Sequence, residues 1–200
     1  ERLEQIKPSG LLEAQFILNG NINDIRSCAI TAKLSSSSIS AYGLKTQECA
    51  LEYNQAEGLI EIPVIDISLY DGRLKGTAKM NLASENLPYW IEADIQGARI
   101  EKLKLDTAAR EKDIAGIVNA QVKLNGFSND LARMSGAGVI NITEGRLWQL
   151  NLFKGLGSLL FARDFEKIVF NEGSCSFTIQ DKYISSDNLE LKSNIANLAG

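Results

Sequence analysis

The chain has 200 residues, enough to bury one sizeable hydrophobic core or two small ones. Its net charge of −4 argues against nucleic acid as a partner, because phosphates are neutralised by a basic surface. Histidine is absent, which excludes a Ser-His-Asp or Cys-His catalytic site within this chain and removes the commonest ligand of transition metals.

The dominant pattern along the chain is alternation of apolar and polar residues with period two, which is typical of half-buried strands. It is clearest in residues 74–82, where Leu74, Ala78 and Met80 share one face and the lysines share the other. We predict further strands at residues 12–18, 29–34, 48–53, 59–70, 89–95, 118–124, 138–143, 174–179 and 188–192.

Glycine turn signals separate these runs and predict antiparallel meanders. They are Asn19-Gly20, Asp71-Gly72, Asn125-Gly126, Glu144-Gly145 and Glu172-Gly173. Within residues 59–70 the alternation slips next to Pro63, as expected for a bulge or an edge position.

Two stretches depart from the β pattern. Residues 101–113 are rich in charge and predict a short helix. Residues 147–161 are strongly apolar and predict a helix that lies on the sheet, although Gly155 and Gly157 weaken a helix. As a functional element this segment would line or close a groove for acyl chains, and as a structural element it would be core.

An internal repeat relates two parts of the chain. Ala14, Gln15, Leu18, Asn19, Gly20, Asn23 and Asp24 match Ala120, Gln121, Leu124, Asn125, Gly126, Asn129 and Asp130. We therefore predict a mainly β fold of curved antiparallel sheets built from two related repeat units with one or two short helices. The units span residues 1–115 and 116–200, and the second carries the apolar helix 147–161.

The sequence offers few side chains that could form a catalytic site, a metal site or a disulfide. Cys28, Cys49 and Cys175 form no CxxC motif and predict small buried hydrophobes, with a Cys28–Cys49 disulfide as the alternative. Each repeat copy offers a single carboxylate, too few for a calcium loop. The acids Asp106, Glu111 and Asp113, and the pair Asp164 and Glu166, indicate solvated charge runs rather than a glycosidase pair. We predict no catalytic residues, no metal site and no cofactor.

An ordered series of short motifs resembles the C-terminal region of AsmA-like proteins, over roughly residues 11–200. Residues 69–76 look like the family's Leu-Tyr-Gly-Gly strand turn, and residues 95–103 look like its step into a short helix. Residues 136–145 resemble its Gly-x-Gly strand, and residues 165–177 and 188–200 resemble its closing strands. Glu144 stands where the family usually has Asp, and residues 35–38, four serines, have no counterpart.

The resemblance implies a non-enzymatic bacterial envelope protein in the periplasm, anchored at the inner membrane through segments outside this chain. The chain begins at Glu1 rather than methionine, and we expect a piece of a larger protein. The family's large members are implicated in outer-membrane biogenesis and phospholipid transport through an apolar β groove. Envelope proteins are possible partners, and nucleic acid is not expected.

We therefore expect a phospholipid or another acyl lipid to contact the inward-facing apolar side chains, since acyl binding needs no specific polar group. The predicted lipid-binding residues are Met80, Ile91, Val122, Ile140, Leu150, Phe153, Leu156 and Leu160. The alternative is a structural or protein-interaction β module whose core is filled. A glycan-active enzyme is a third hypothesis.

Overall fold

The computed structural model describes residues 9–21, 23–41, 43–128, 130–146, 169–193 and 197–200. The predicted apolar helix at residues 147–161 lies outside this described part. The described strands are β1 (Ser9–Gly10), β2 (Glu13–Asn19), β3 (Ala29–Ser36), β4 (Ile39–Ala41), β5 (Leu44–Lys45), β6 (Cys49–Ala56), β7 (Leu59–Leu69), β8 (Gly72–Asn81), β9 (Pro88–Arg99), β10 (Ala115–Phe127), β11 (Asp130–Arg146), β12 (Glu172–Gln180), β13 (Tyr183–Ser185), β14 (Glu190–Lys192) and β15 (Asn197–Ala199).

The strands form one 12-stranded antiparallel sheet and a 3-stranded sheet of β1, β4 and β5. In the large sheet the order is β15-β14-β12-β11-β10-β9-β8-β7-β6-β3-β2, and β13 pairs with β12. A short helix, α1 (Ile100–Leu103), follows β9 and continues into a 3-10 turn at Lys104–Asp106. The predicted mainly β class is thus confirmed, and the short helix lies where the charged stretch predicts it.

Both proposed repeat units contribute strands to the same sheet. The boundary between residues 115 and 116 falls at the start of β10, which pairs with β9 on one side and β11 on the other. The matching segments begin hairpins in each case, β2–β3 and β10–β11. They diverge after the shared glycine, because Asp24 precedes a 3-10 turn at Ile25–Ser27 whereas Asp130 starts β11.

The glycine signals have mixed outcomes. The slip beside Pro63 is confirmed as a register shift between Ile62 and Ile65. Asn125-Gly126 and Glu144-Gly145, predicted as turns, lie instead inside β10 and β11. Gly126 allows a close approach rather than a turn, because a Cβ there would lie 2.8 Å from the Tyr89 hydroxyl oxygen.

The pairing register divides the large sheet into an apolar face and a polar face, since directly paired residues point to the same side. One unbroken row of pairs on the apolar face runs from β2 to β12. It consists of Ala14, Leu34, Leu51, Ile65, Gly76, Ala93, Val122, Gly138 and Phe177. The polar face carries cross-strand ion pairs such as Lys33–Glu52 (3.1 Å), Lys79–Glu61 (2.7 Å) and Lys123–Glu92 (3.0 Å).

The buried core of the described part is small and lies mainly at one end of the sheet, which we call the helix end. Phe170 and Leu191 are 4% and 3% exposed and form its centre. Half-buried side chains of Ile100, Ile142, Leu189 and Leu198 pack against them. The other buried apolar residues are Cys28, Tyr70, Tyr89 and Ala98. Most of the apolar face is therefore only half-buried by its neighbours in the described part.

The three cysteines carry free thiols. Cys28 is buried as predicted, whereas Cys49 and Cys175 are half-buried. The alternative Cys28–Cys49 disulfide is not formed. Cys28 precedes β3, whereas Cys49 pairs with Ser36 at the far end of that strand, and a disulfide needs Cα atoms about 4.4–6.8 Å apart.

Candidate functional site

Four of the predicted lipid-binding residues lie on the apolar face, on adjacent strands. Met80 on β8 pairs with Tyr89, Ile91 on β9 pairs with Leu124, and Ile140 on β11 pairs with Ala120. Val122 on β10 pairs with Gly138. All four side chains are half-buried. The other four, Leu150, Phe153, Leu156 and Leu160, lie outside the described residues.

The middle of the apolar face is built from small residues that alternate with large ones. Gly76, Ala78, Ala93, Ala120, Gly136 and Gly138 belong to it. Two of the glycines are covered by neighbours, because a Cβ at Gly138 would lie 2.6 Å from the Phe177 ring and one at Gly136 would lie 2.7 Å from Leu124 Cδ2. The surface of this face is consequently low at the small side chains of Ala78, Ala93 and Ala120, and larger side chains project beside them.

A polar network surrounds the helix end. The Tyr70 hydroxyl donates to Asp106 Oδ2 (3.1 Å), and the Lys45 ammonium lies 3.5 Å from Asp106 Oδ1. Burial raises the pKa of Tyr70, and the hydroxyl therefore remains a donor at neutral pH. Asp106 is therefore held by structural contacts. Asp113, a second acid of the same charged stretch, forms an ion pair with Arg146 (3.2 Å). The other acid pair, Asp164 and Glu166, lies outside the described residues.

Glu101 joins α1 to the sheet in this network. Its carboxylate pairs with Arg99 (3.0 Å) and accepts a hydrogen bond from the Gly116 amide (3.3 Å). Burial opposes ionisation, but hydrogen bonds from backbone amides and from Arg99 outweigh it and lower the pKa of Glu101 below its ordinary value of 4.5.

Replacing Glu101 by glutamine is expected to make stability less dependent on pH. Since the folded pKa is the lower one, the charge of Glu101 stabilises the fold above pH 4.5, and this is lost as the pH falls through the folded pKa. Glu101→Gln should lower the free energy of unfolding by about 0.5–1 kcal/mol at neutral pH, a value discounted for partial exposure. Urea unfolding at neutral and at acidic pH measures this loss of stability. An equal loss at both pH values would contradict the lowered pKa of Glu101.

A cavity in the described part has a volume of about 1000 Å³ and lies on the polar face. Its walls come from β8, β9, β10, β11 and β12 and from residues 185–187. Of the four predicted lipid-binding residues in the described part, only Val122 contributes to it. The predicted trough of inward apolar positions is therefore not this cavity, whose walls are mainly polar-face residues such as Thr77, Glu92, Gln121, Lys123 and Thr178.

A second cavity of about 420 Å³ lies beside the serine run at residues 35–38. Ser36 is 8% exposed, and its hydroxyl donates to the Leu11 carbonyl (2.6 Å) and lies 3.0 Å from the Ser38 carbonyl oxygen. The serines thus help hold the small sheet against the large one, a role that the sequence pattern does not suggest.

No family model, curated protein or solved structure matches the chain. Within the described residues, no helix is long and apolar enough to span a membrane, and no three His, Cys, Asp or Glu side chains are placed to hold a metal ion. The geometry of the two faces is consequently the main guide to function.

Proposed function

We propose that this chain is a non-enzymatic lipid-binding module of a bacterial envelope protein, and that the apolar face of the large sheet receives the acyl chains of a phospholipid. The observation that carries the proposal is that most side chains of that face are only half-buried in the described part. The apolar row runs through β2 to β12, yet in the described part the buried apolar centre lies mainly at the helix end. A continuous apolar surface that stays partly exposed is a candidate binding site for apolar partners.

Acyl chains suit this face because it is long and apolar, and no ion pair joins side chains on it within the residues that the structure describes. Each methylene removed from water contributes about 0.8 kcal/mol, and a chain of about ten buried methylenes therefore contributes about 8 kcal/mol before the cost of ordering. The shallow positions at Ala78, Ala93 and Ala120 leave room for such a chain between raised side chains.

The cellular setting of this proposal rests on the resemblance of residues 69–76, 95–103 and 136–145 to AsmA-like proteins. The resemblance implies a module in the periplasm, anchored to the inner membrane by segments outside this chain, with a role in phospholipid transport and outer-membrane biogenesis. Envelope proteins are possible partners in that setting.

A second candidate is a protein-interaction module, and the edge strand β2 favours it. Among the described strands β2 pairs only with β3, and Phe16 and Ile17, on opposite sides of the strand, are 69% and 66% exposed. A long apolar edge is a template for strand addition. The occupant we assign is β2 of a second copy, which would extend the sheet across a two-fold axis.

Native mass spectrometry of the chain after exposure to phosphatidylethanolamine and phosphatidylglycerol vesicles tests the lipid proposal. We expect the wild-type chain to retain phospholipid and Ala120→Phe to reduce retention about tenfold, because the phenyl ring fills the space between Ile95 and Ile140. The matched control is Ala137→Phe, on the exposed polar face, which should retain lipid fully.

A wild-type chain that carries no lipid, or equal losses in both variants, would overturn the proposal. A lipid-free dimer that dissociates on Ile17→Lys would support strand addition instead. Thermal unfolding of each variant confirms that binding is compared between folded chains.

A further inference from the structure

The polar-face cavity is rich in hydrogen-bonding groups, and many of its charges are already matched within the protein. Lys123 pairs with Glu92 (3.0 Å), and Gln121 donates to Asp94 Oδ2 (2.8 Å). The lining contains Lys75 and Lys123 against Glu92, Asp94 and Asp187. A polyanion needs a surplus of cations, so this balance disfavours nucleic acid and anionic ligands.

Hydroxyl groups supply the rest of the polar lining. Thr77 and Ser176 contribute from β8 and β12, and the hydroxyls of Thr178 and Ser185 lie 3.4 Å apart across the β12–β13 pair. Ala137 and Val139 provide exposed apolar patches among them. Such a surface offers many weak donors and acceptors with apolar spots between them, which complements a ligand that alternates hydroxyl groups and C–H surface.

Two exposed aromatic rings lie in one row of the polar face, next to this cavity. Trp90 is 48% exposed and Tyr183 is 77% exposed. The register joins them through Asn125, Ser135 and Gln180, one residue from each strand between β9 and β13. Four strand spacings of about 4.8 Å place the two rings roughly 19 Å apart along the sheet.

An aromatic residue on the polar side of an alternating strand gains little from burial at that position. Tyr89 and Ile91, which flank Trp90, point to the apolar face, so Trp90 stands alone among polar neighbours on its own side. Exposed Trp and Tyr combine a flat apolar ring with a polar edge and are suited to partners of mixed character.

We propose that the polar face binds a neutral glycan chain laid across β9 to β13. Trp90 and Tyr183 stack on the C–H faces of two separated sugar rings. Gln121, Asp94 and the cavity hydroxyls donate to and accept from the sugar hydroxyls. The apolar and polar faces then serve different ligands, and this site does not depend on the lipid proposal.

Isothermal titration with cellohexaose and chitohexaose tests the site, and dextran sulfate serves as the anionic comparison. We expect at least one hexasaccharide to bind and dextran sulfate not to bind. Trp90→Ala and Tyr183→Ala should each weaken binding about tenfold, whereas Trp90→Phe should retain most of it because a ring remains.

The matched controls separate this site from the apolar face. Phe16→Ala removes an exposed aromatic from the apolar face and should leave glycan affinity unchanged. Ala137→Phe should weaken glycan binding, and Ala120→Phe should not, which is the reverse of their expected effects on lipid. Failure of both hexasaccharides to bind, binding of dextran sulfate instead, or affinity unchanged in both Trp90→Ala and Tyr183→Ala would overturn the proposal.

Discussion

Replacing Gly72 by alanine should lower the free energy of unfolding by about 2–3 kcal/mol, the upper part of the range for overpacking. A Cβ at this position would meet the backbone of β9, at the amide nitrogen of Ala98 and 2.5 Å from the carbonyl oxygen of Gln96. Backbone atoms in a paired strand cannot rotate aside as a side chain can. The two strands would have to separate, with loss of their hydrogen bonds.

The close approach at Gly72 originates in a bulge on β9. Gly97 has φ +70, a left-handed conformation that favours glycine, and its amide donates to Asn119 Oδ1 (3.0 Å). The bulge lies directly before α1 and sets the direction in which the chain leaves the sheet. Gly72→Ala should therefore also disturb the helix end.

Urea unfolding followed by Trp fluorescence measures the Gly72 effect. Gly200→Ala is the matched control, because a Cβ there meets no atom within 4 Å. It should change stability by less than about 0.5 kcal/mol. Equal stability of Gly72→Ala and wild type would mean that β8 and β9 are not packed as closely as the register requires.

The strands and their faces could be predicted because period-two alternation is local information. Met80, Ile91, Val122 and Ile140 share a face because each occupies an apolar position in its own alternating run. The roles of the glycines could not be predicted in the same way. A glycine within a strand and a glycine in a turn have the same sequence signal, and only the neighbouring strand shows that Gly126 faces Tyr89.

The polar-face site was missed because the cavity residues and the two aromatic residues beside the cavity meet only through long-range strand pairing. Trp90 and Tyr183 are distant in sequence, and four strand pairings bring them into one row. The available signal was Trp90 itself, an aromatic at a polar position between Tyr89 and Ile91. Hydrophobic alternation identifies which face of the sheet is apolar, and it therefore pointed to a ligand on that face. It does not show where the surface of the sheet is concave.

Phe170→Ala should lower the free energy of unfolding by about 3–5 kcal/mol, the largest effect expected for a single side chain here. Phe170 is 4% exposed and packs with Leu191 at the helix end, where Ile100 of α1 and Ile142 of β11 also make contact. Removing the ring leaves a cavity among side chains from separate elements. Few other residues in the described part are buried and could contribute a comparable stabilisation.

Phe170→Leu should restore much of the stability lost in Phe170→Ala, because it refills part of the volume without adding a polar group. The adjacent Val169, 38% exposed, supplies the matched control, and Val169→Ala should cost less than about 1 kcal/mol. Urea midpoints at constant slope measure all three variants. A Phe170→Ala loss no larger than that of Val169→Ala would show that the helix end is not the stabilising centre. In that case the apolar face would have to be buried by contacts at another point along its length, even in the absence of lipid.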